Sequence, residues 1–490
     1  MCRRLISIPI LVITFLFSVL DAESSLFVGN SRLAKGRWVK IGIEDSGVYE
    51  ITYEGLRALG FGSPERVALF GAGGTALDEQ FVTSKGTQLY KDDLQPVPVL
   101  HSEGKLVFYG CGVEKIGFKA GKGDESGFFD RVSRNLYTET GYYFLTDSEG
   151  EPLEMSVVNG DAGSEDAAYE LQEGLDYMYH EQDLTMGVNG TGRLLFGEKF
   201  EVFGTQRYEW DYFFPDLIEQ RPAAMKAEIY LDGEVSAVMK FGVSGGADNY
   251  ELTRTMPKSD NLVRTVDSNQ RHVGFASNRG KLFVSLNPLY RSTELTYSHL
   301  DYWILSYSKR VPGLRSESQA RILFEKLDAG KAYTVALGDK SHLMIDVSDA
   351  ANPVVLNSGT DGRVSFTASA QEIHTVVFDP GLRLKRPVSY AEIPNQDLHS
   401  KASEVADMVI ITVPGLASGA EKLAEIHRKF DNMSVSVFQL DKIYNEYSSG
   451  RCDPMAYRAL LKNVYESSDG RLDNVLFLGP VASDVKSIER

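Results

Sequence analysis

Little cysteine, little basic charge and almost no long apolar sequence set the first limits. Three cysteines in 490 residues make neither a disulfide framework nor a cysteine-rich zinc site. Neither Cys-x-x-Cys nor His-Glu-x-x-His occurs, and no cofactor or metal set is expected. Lys and Arg number 51 against 68 Asp and Glu, a net charge of −17. That excludes the basic stripe of a nucleic-acid binder and a surface drawn to anionic lipid. The one long apolar run is Leu5–Leu20, interrupted by Ser7, Pro9, Thr14 and Ser18. It falls short of the ~20 residues a spanning helix needs. Arg3 and Arg4 precede it, and Ala22 and the polar Glu23-Ser24-Ser25 follow, which is the plan of a secretory signal peptide. Residues 1–22 are therefore expected to be removed. The mature chain is expected in the periplasm, on the outer-membrane surface or outside the cell, with no transmembrane span left. Cys2 precedes the apolar run, so it is no lipoprotein cysteine, and the mature chain keeps Cys111 and Cys452.

What is present leans to β structure: 24 Tyr, 25 Phe and 45 Gly in a chain of globular hydrophobic content. The length suggests about three domains. Residues 23–150 read as an N-terminal β-rich domain. In it, Trp38–Ile43, the turn Asp45-Ser46-Gly47 and Val48–Ile51 read as a hairpin. Residues 149–168 read as a linker. A β-sandwich-like domain is expected at 170–310, with Ala227–Leu231, Asp232-Gly233 and the alternating Val235–Phe241 as a second hairpin. A small β domain is expected at 315–395.

The pattern changes at about residue 400. Met408–Thr412, Val435–Phe438 and Val475–Leu478 are continuous apolar strands. Helices lie between them, one with Leu423, Ile426 and Phe430 on a face, the next capped by Asp453 with Pro454 at its first position. Such βαβαβ patterning predicts a parallel sheet covered on both faces. Three strands are few for an open α/β sheet, which implies a domain incomplete within this sequence. That segment is expected to be the least stable part, with residues 25–390 folding independently.

Several stretches resemble one family in order along the chain. They begin with Leu33–Ile41, Ser46–Tyr49 and Thr52-Tyr53, then Phe70–Gly74, Asp92-Asp93-Leu94 and Tyr142–Thr146. Tyr179–Asp183, Phe196–Phe200, Leu300–Tyr302, Val347–Asp349 with Asn352-Pro353, and Pro394–His399 continue the run. Asp407–Ile410, Leu423-Ala424, His427-Arg428, Ile443–Gly450, Asp453-Pro454 and Val475–Gly479 complete it. The chain resembles the gingipain (C25-type) cysteine peptidases, most of all the PorU-type secretory sortases of the type IX secretion system of Bacteroidetes. The resemblance implies a multidomain protein: β-rich N-terminal domains, then the first βαβαβ part of a caspase-like α/β domain at 400–490. It implies cysteine-type endopeptidase or transpeptidase chemistry on type IX cargo. Partners would be secretion components or the C-terminal signal domains of cargo. The family's catalytic His and Cys follow its third strand, where this sequence reads Gly479-Pro480 and ends at Arg490; no position matches either. No catalytic residue is therefore assigned, and the chain is expected to be inactive alone. The alternatives are a non-enzymatic secreted binding protein of the secretion apparatus, or one half of a split peptidase.

The remaining candidates read as structural. His427 falls in a solvated His-Arg-Lys run and Cys452 just before a helix cap, a poor substitute dyad. Cys111 reads as a small buried side chain, and His101, His180, His272, His299, His342, His374 and His399 as scattered through β regions. Gly71–Gly74 lacks the following helix of a dinucleotide loop. Asp92-Asp93 and Asp346 with Asp349 lack EF-hand spacing and read as exposed turn carboxylates. Asn445–Gly450 reads as a strand-to-helix loop.

Overall fold

The computed structural model describes residues 26–486 and 488, apart from 159–168, 187–194, 202–204, 222, 234–235, 245–249, 257–258, 273–274, 290–296, 312–313, 315–316, 357–361 and 481–485. The expected signal peptide and half of the expected linker lie outside the described residues. No helix among those described is long and apolar enough to cross a membrane.

The first unit holds β1 (Trp38–Ile43), β2 (Gly47–Thr52), α1 (Tyr53–Ala58), β3 (Ala68–Gly73), β4 (Lys105–Gly110), β5 (Phe128–Arg134) and β6 (Gly141–Thr146). The hairpin expected of β1 and β2 does not form. β1 pairs antiparallel with β6, and β2 pairs with β4 in a second sheet. Both strands are almost wholly buried. They face each other across a core of Val39, Ile41, Ile43, Tyr49, Ile51 and Phe108 instead of lying side by side.

The middle of the chain is a sandwich. Its main strands are β7 (Glu173–Glu181), β8 (Gln206–Phe213), β9 (Ala223–Gly233), β10 (Ala237–Ser244), β11 (Arg279–Pro288), β12 (Tyr297–Arg310), β13 (Gln319–Phe324) and β14 (Ile373–Phe378). The second expected hairpin is also absent. β9 pairs with β12 in a ten-stranded sheet, whereas β10 pairs with β11 in a four-stranded one. Between the sheets lie Ala227, Ile229, Met239, Phe241, Val284 and Trp303. The period-two pattern is right in both strands, but consecutive strands of a sandwich can bury their inner faces from opposite sheets. The unit boundary expected at 310–315 falls inside a sheet, because β13 joins β7 and β14 in the ten-stranded one. β15 (Ser389–Ile393), expected in the small β domain, returns to the first unit and pairs with β1.

The C-terminal part contains α2 (Leu398–Ala402), β16 (Met408–Thr412), α3 (Ala417–Phe430), β17 (Val435–Gln439), α4 (Leu440–Tyr447), α5 (Pro454–Ser467) and β18 (Asn474–Leu478). The sheet is parallel, in the order β17-β16-β18. Every residue of β16 is buried, as its continuous apolar run requires. α3 covers one face through Ala420 and Ala424 against Met408, Ile410, Val435 and Val437. α4 and α5 cover the other, with Ile443, Tyr447, Ala456 and Leu460 against Val409, Ile411 and Phe438.

That second face is shared. Phe27 and Tyr90 of the first unit are buried in the same cluster, with Leu77 and Phe81 packed against it. Each large apolar side chain buried there contributes about 1.5–3 kcal/mol relative to exposure. The geometry opposes an independent β core at 25–390, since part of that core lies under α4 and α5.

Candidate functional site at the junction of the β-rich and α/β parts

The residues that join the two parts are polar and buried. His399 on α2 has no exposed surface. Its Nδ1 lies 2.6 Å from Glu446 Oε2 on α4, and its Nε2 3.0 Å from Asp92 Oδ1 of the first unit. The ring stacks on Tyr447 at 4.4 Å between centroids. With a carboxylate at each nitrogen, the ring is an imidazolium that donates twice. Burial works against its proton, and the hydrogen bonds to Asp92 and Glu446 outweigh burial, raising the pKa to about 10. Glu446 also accepts from the backbone N–H of Leu398 at 2.9 Å and from Gln396 Nε2 at 2.8 Å, so one carboxylate caps α2 and holds its histidine. Asp92 accepts from Val28 N–H, and Asp93 from Arg32 N–H, both at 2.8 Å. Both aspartates are buried, which corrects their reading as exposed turn carboxylates. Burial raises the Asp93 pKa.

Beside this cluster, Lys40 of β1 reaches across to α4 and the following loop. Its Nζ donates to Asn445 Oδ1 at 3.0 Å and to the Gly450 carbonyl at 3.1 Å, and sits 4.0 Å from the centre of the Tyr142 ring. Burial lowers its pKa to about 8. Gly450 has φ 84°, and a Cβ there would lie 2.6 Å from Lys40 Cε, so glycine is required twice over. The next residue, Arg451, is buried. Its Nε donates to Ser448 O at 2.7 Å and its Nη1 to Thr75 O. Burial pushes its pKa down. Arg451 forms part of the wall of a cleft of about 1410 Å³ between the first unit, the ten-stranded sheet and the 447–451 loop.

A second buried network joins the first unit to the sandwich. Arg131 on β5 donates to Glu181 and Asp301 at 2.6 Å each, and Arg134 to Asp183 at 3.0 Å. Burial raises Glu181 to about 7 despite Arg131.

The other sequence candidates stay apart. His427 Nδ1 lies 2.7 Å from Asp431 on α3, whereas Cys452 is exposed near Lys40, on the face covered by α4 and α5. Burial raises the thiol pKa of Cys111. Cys111 is half-buried in the cleft wall, its N–H bonded to Tyr143 Oη at 2.9 Å. His180 bonds Glu198 Oε1 at 2.8 Å and stacks on Trp303. His101 bonds Tyr53 Oη, His342 bonds Leu337 O, and His299 stacks on Phe196 with its pKa lowered by burial to about 4. His374 packs against Phe118 and Phe129, and His272 ends a strand at 259–272. Asp346 and Asp349 cap turns through the N–H groups of Ser348 and Ala351. Gly71–Gly74 ends β3, with no helix after it. Of Asn445–Gly450, read as a strand-to-helix loop, Asn445–Tyr447 form the last turn of α4, Ser448 is its cap, and Ser449 and Gly450 begin the loop to α5. No group of three or more His, Cys, Asp or Glu side chains suited to a metal occurs among the described residues.

His399 is the residue that sequence reasoning passed over. Its partners lie 307 and 47 residues away, so no local pattern reveals them. A signal did exist. Asp92-Asp93, Pro394–His399 and Ile443–Gly450 are three separate family-like stretches, and the fold brings them to this one junction.

Residues 401–488 match the model of peptidase family C25. No curated protein matches the chain in sequence. Among solved structures, dimeric latent PorU from Porphyromonas gingivalis is similar over 94% of this chain and 43% of that one, with a TM-score of 0.75 at 23% identity. This chain therefore spans less than half the length of that protein. TmCBM61 in complex with beta-1,4-galactotriose (13% identity, 28% of this chain, 88% of that one) has a TM-score of 0.16. The delta-endotoxin Cry8Ea1 of Bacillus thuringiensis (10% identity, 55% of this chain, 52% of that one) has a TM-score of 0.20, and neither supports an argument. With its β-rich sheets leading into a parallel α/β sheet, the chain is PorU-like in fold, and its residues 401–488 match the model of peptidase family C25.

Proposed function

We propose that this is an exported protein of the gingipain/PorU family that engages type IX secretion cargo or apparatus through its β-rich units and does not cleave peptides by itself. The PorU-like fold ending in a C25 segment is the observation that carries this reading. Cysteine peptidase chemistry needs a thiolate with a histidine base in hydrogen-bond reach. Among the described residues, Cys452 neighbours Lys40, Cys111 neighbours Tyr143, and His399 is held between two carboxylates. None of these is a poised pair. The purified chain is expected to show no turnover of a fluorogenic peptide library and no activity-dependent labelling by a thiol-directed probe. Turnover that disappears in Cys452→Ala would overturn this reading.

A second reading, half of a peptidase completed by another polypeptide, is favoured by the two edges of the α/β sheet. On β17, Arg428 and Lys401 donate to the carbonyls of Val435 and Val437. On β18, Val475 and Phe477 are 41% and 50% exposed, and no strand among the described residues pairs with its outer edge. A guarded edge beside a bare apolar one is what strand addition needs. Peptidase activity in the envelope fraction of the native host, co-purifying with a chain that is inactive alone, would favour this second reading.

A further inference from the structure

We infer that the interdomain cleft is a binding site for the carboxylate of a peptide segment, with Arg451 as the residue that receives it. The inference does not depend on the family reading. An arginine guanidinium carries five N–H donors. Arg451 uses one at Nε for Ser448 O and one at Nη1 for Thr75 O; Nη2 has no partner among the described residues. The side chain is 4% exposed overall and lies in the cleft wall. The buried Lys309 and the more exposed Arg321 and Lys385 of that wall are matched, the first two with Asp176 and the last with Asp45. Arg451 has no carboxylate within salt-bridge distance among the described residues. Its nearest acid in sequence, Asp453, accepts from the N–H groups of Leu77 and Met455 and acts on Arg451 through its charge without a hydrogen bond to it.

Two observations narrow the ligand. Nη2 keeps both of its N–H donors, and a guanidinium is the group that receives a planar carboxylate through charge-assisted hydrogen bonds. Ser449, in the same wall and with φ 51°, has a hydroxyl that makes no hydrogen bond among the described residues. The cleft of about 1410 Å³ exceeds the ~300–1,000 Å³ of small-molecule pockets. Its walls are mixed, with Tyr109, Phe118, Tyr177 and Tyr179 beside the charged groups, which suits an extended peptide more than a free small anion.

Calorimetric titration of the full chain tests this, with N-acetylated hexapeptides of mixed sequence as free acids, the same peptides as C-terminal amides, and sodium acetate. The free acids are expected to bind at least ten-fold more tightly than the amides. Arg451→Gln should bring the acids down to the level of the amides. Should that variant fail to fold, Ser449→Asp keeps the arginine and offers it an internal carboxylate at a left-handed position that Asp tolerates; it should abolish the preference in a chain whose thermal unfolding is unchanged. Equal affinity for acids and amides, or a preference that survives Ser449→Asp, would overturn the proposal. Acetate competing at the concentrations of the peptide acids would overturn the peptide as the source of the carboxylate.

Discussion

His399→Gln should destabilise the chain by about 3–5 kcal/mol, the usual cost of removing one partner from a buried ion cluster. The substitution leaves Asp92 and Glu446 buried without the cation that pairs them. Urea unfolding at pH 6.5 measures the loss; a variant within 1 kcal/mol of wild type would remove His399 from the junction. The pH dependence has a defined sign. The folded pKa of about 10 lies above the ordinary 6.5, so folding tightens the hold on this proton. The stabilisation is therefore complete below pH 6.5 and is lost as the pH rises towards 10. Lys40 works in the opposite direction, because its pKa falls from 10.5 to about 8, and its release of a proton on folding favours the folded state as pH rises from 8 to 10.5. The histidine contribution is thus read most cleanly between about pH 7 and 8, above the titration of Glu181 and below that of Lys40, where wild-type stability should decline with pH.

Removing the α/β part should expose the first unit. In a chain ending at Asn395, chymotrypsin is expected to cut after Phe81 and Tyr90, which the full chain protects. Tyr90 is 3% exposed, lies tilted to Phe27 and edge-on to Phe81, and donates its hydroxyl to Tyr447 O at 3.1 Å. Arg458 on α5 packs over Phe81 and donates to Glu79 O, and Asp453 holds Leu77 N–H at 2.9 Å. The contacts made by Tyr447, Asp453 and Arg458 would all be lost with residues 440–467. Equal protection of Phe81 and Tyr90 in the shortened chain would show that the 77–93 segment holds its place without α4 and α5.

The sequence was most legible where a strand or helix declares itself locally. Met408–Thr412, the Asp453-Pro454 helix start and Ala227–Leu231 are found where periodicity places them. Pairing was less legible, since the Asp232-Gly233 turn and the Asp45–Gly47 turn both look like hairpins, yet each passes the chain from one sheet to another. Local alternation states which face is buried, not which sheet buries it. α4 was missed although Leu440, Ile443, Tyr444 and Tyr447 follow the helical spacing, because the short helix begins directly at the end of β17. The junction itself was legible only as scattered family-like blocks. Asp92 read as a solvated turn because nothing near it in sequence discloses a histidine 307 residues on. Arg451 carried no signal at all, since its burial depends on the close packing of three separate parts.

The central claim is that the C-terminal α/β part and the first β unit are one folded body, sharing a core and a buried imidazolium. Native-state hydrogen exchange on the full chain, followed by mass spectrometry, tests it most directly. Peptides covering Met408–Thr412 and Tyr90–Leu94 should open with the same free energy and lose protection together in low urea. Exchange of the 405–478 peptides at much lower urea, with Tyr90–Leu94 still protected, would contradict it.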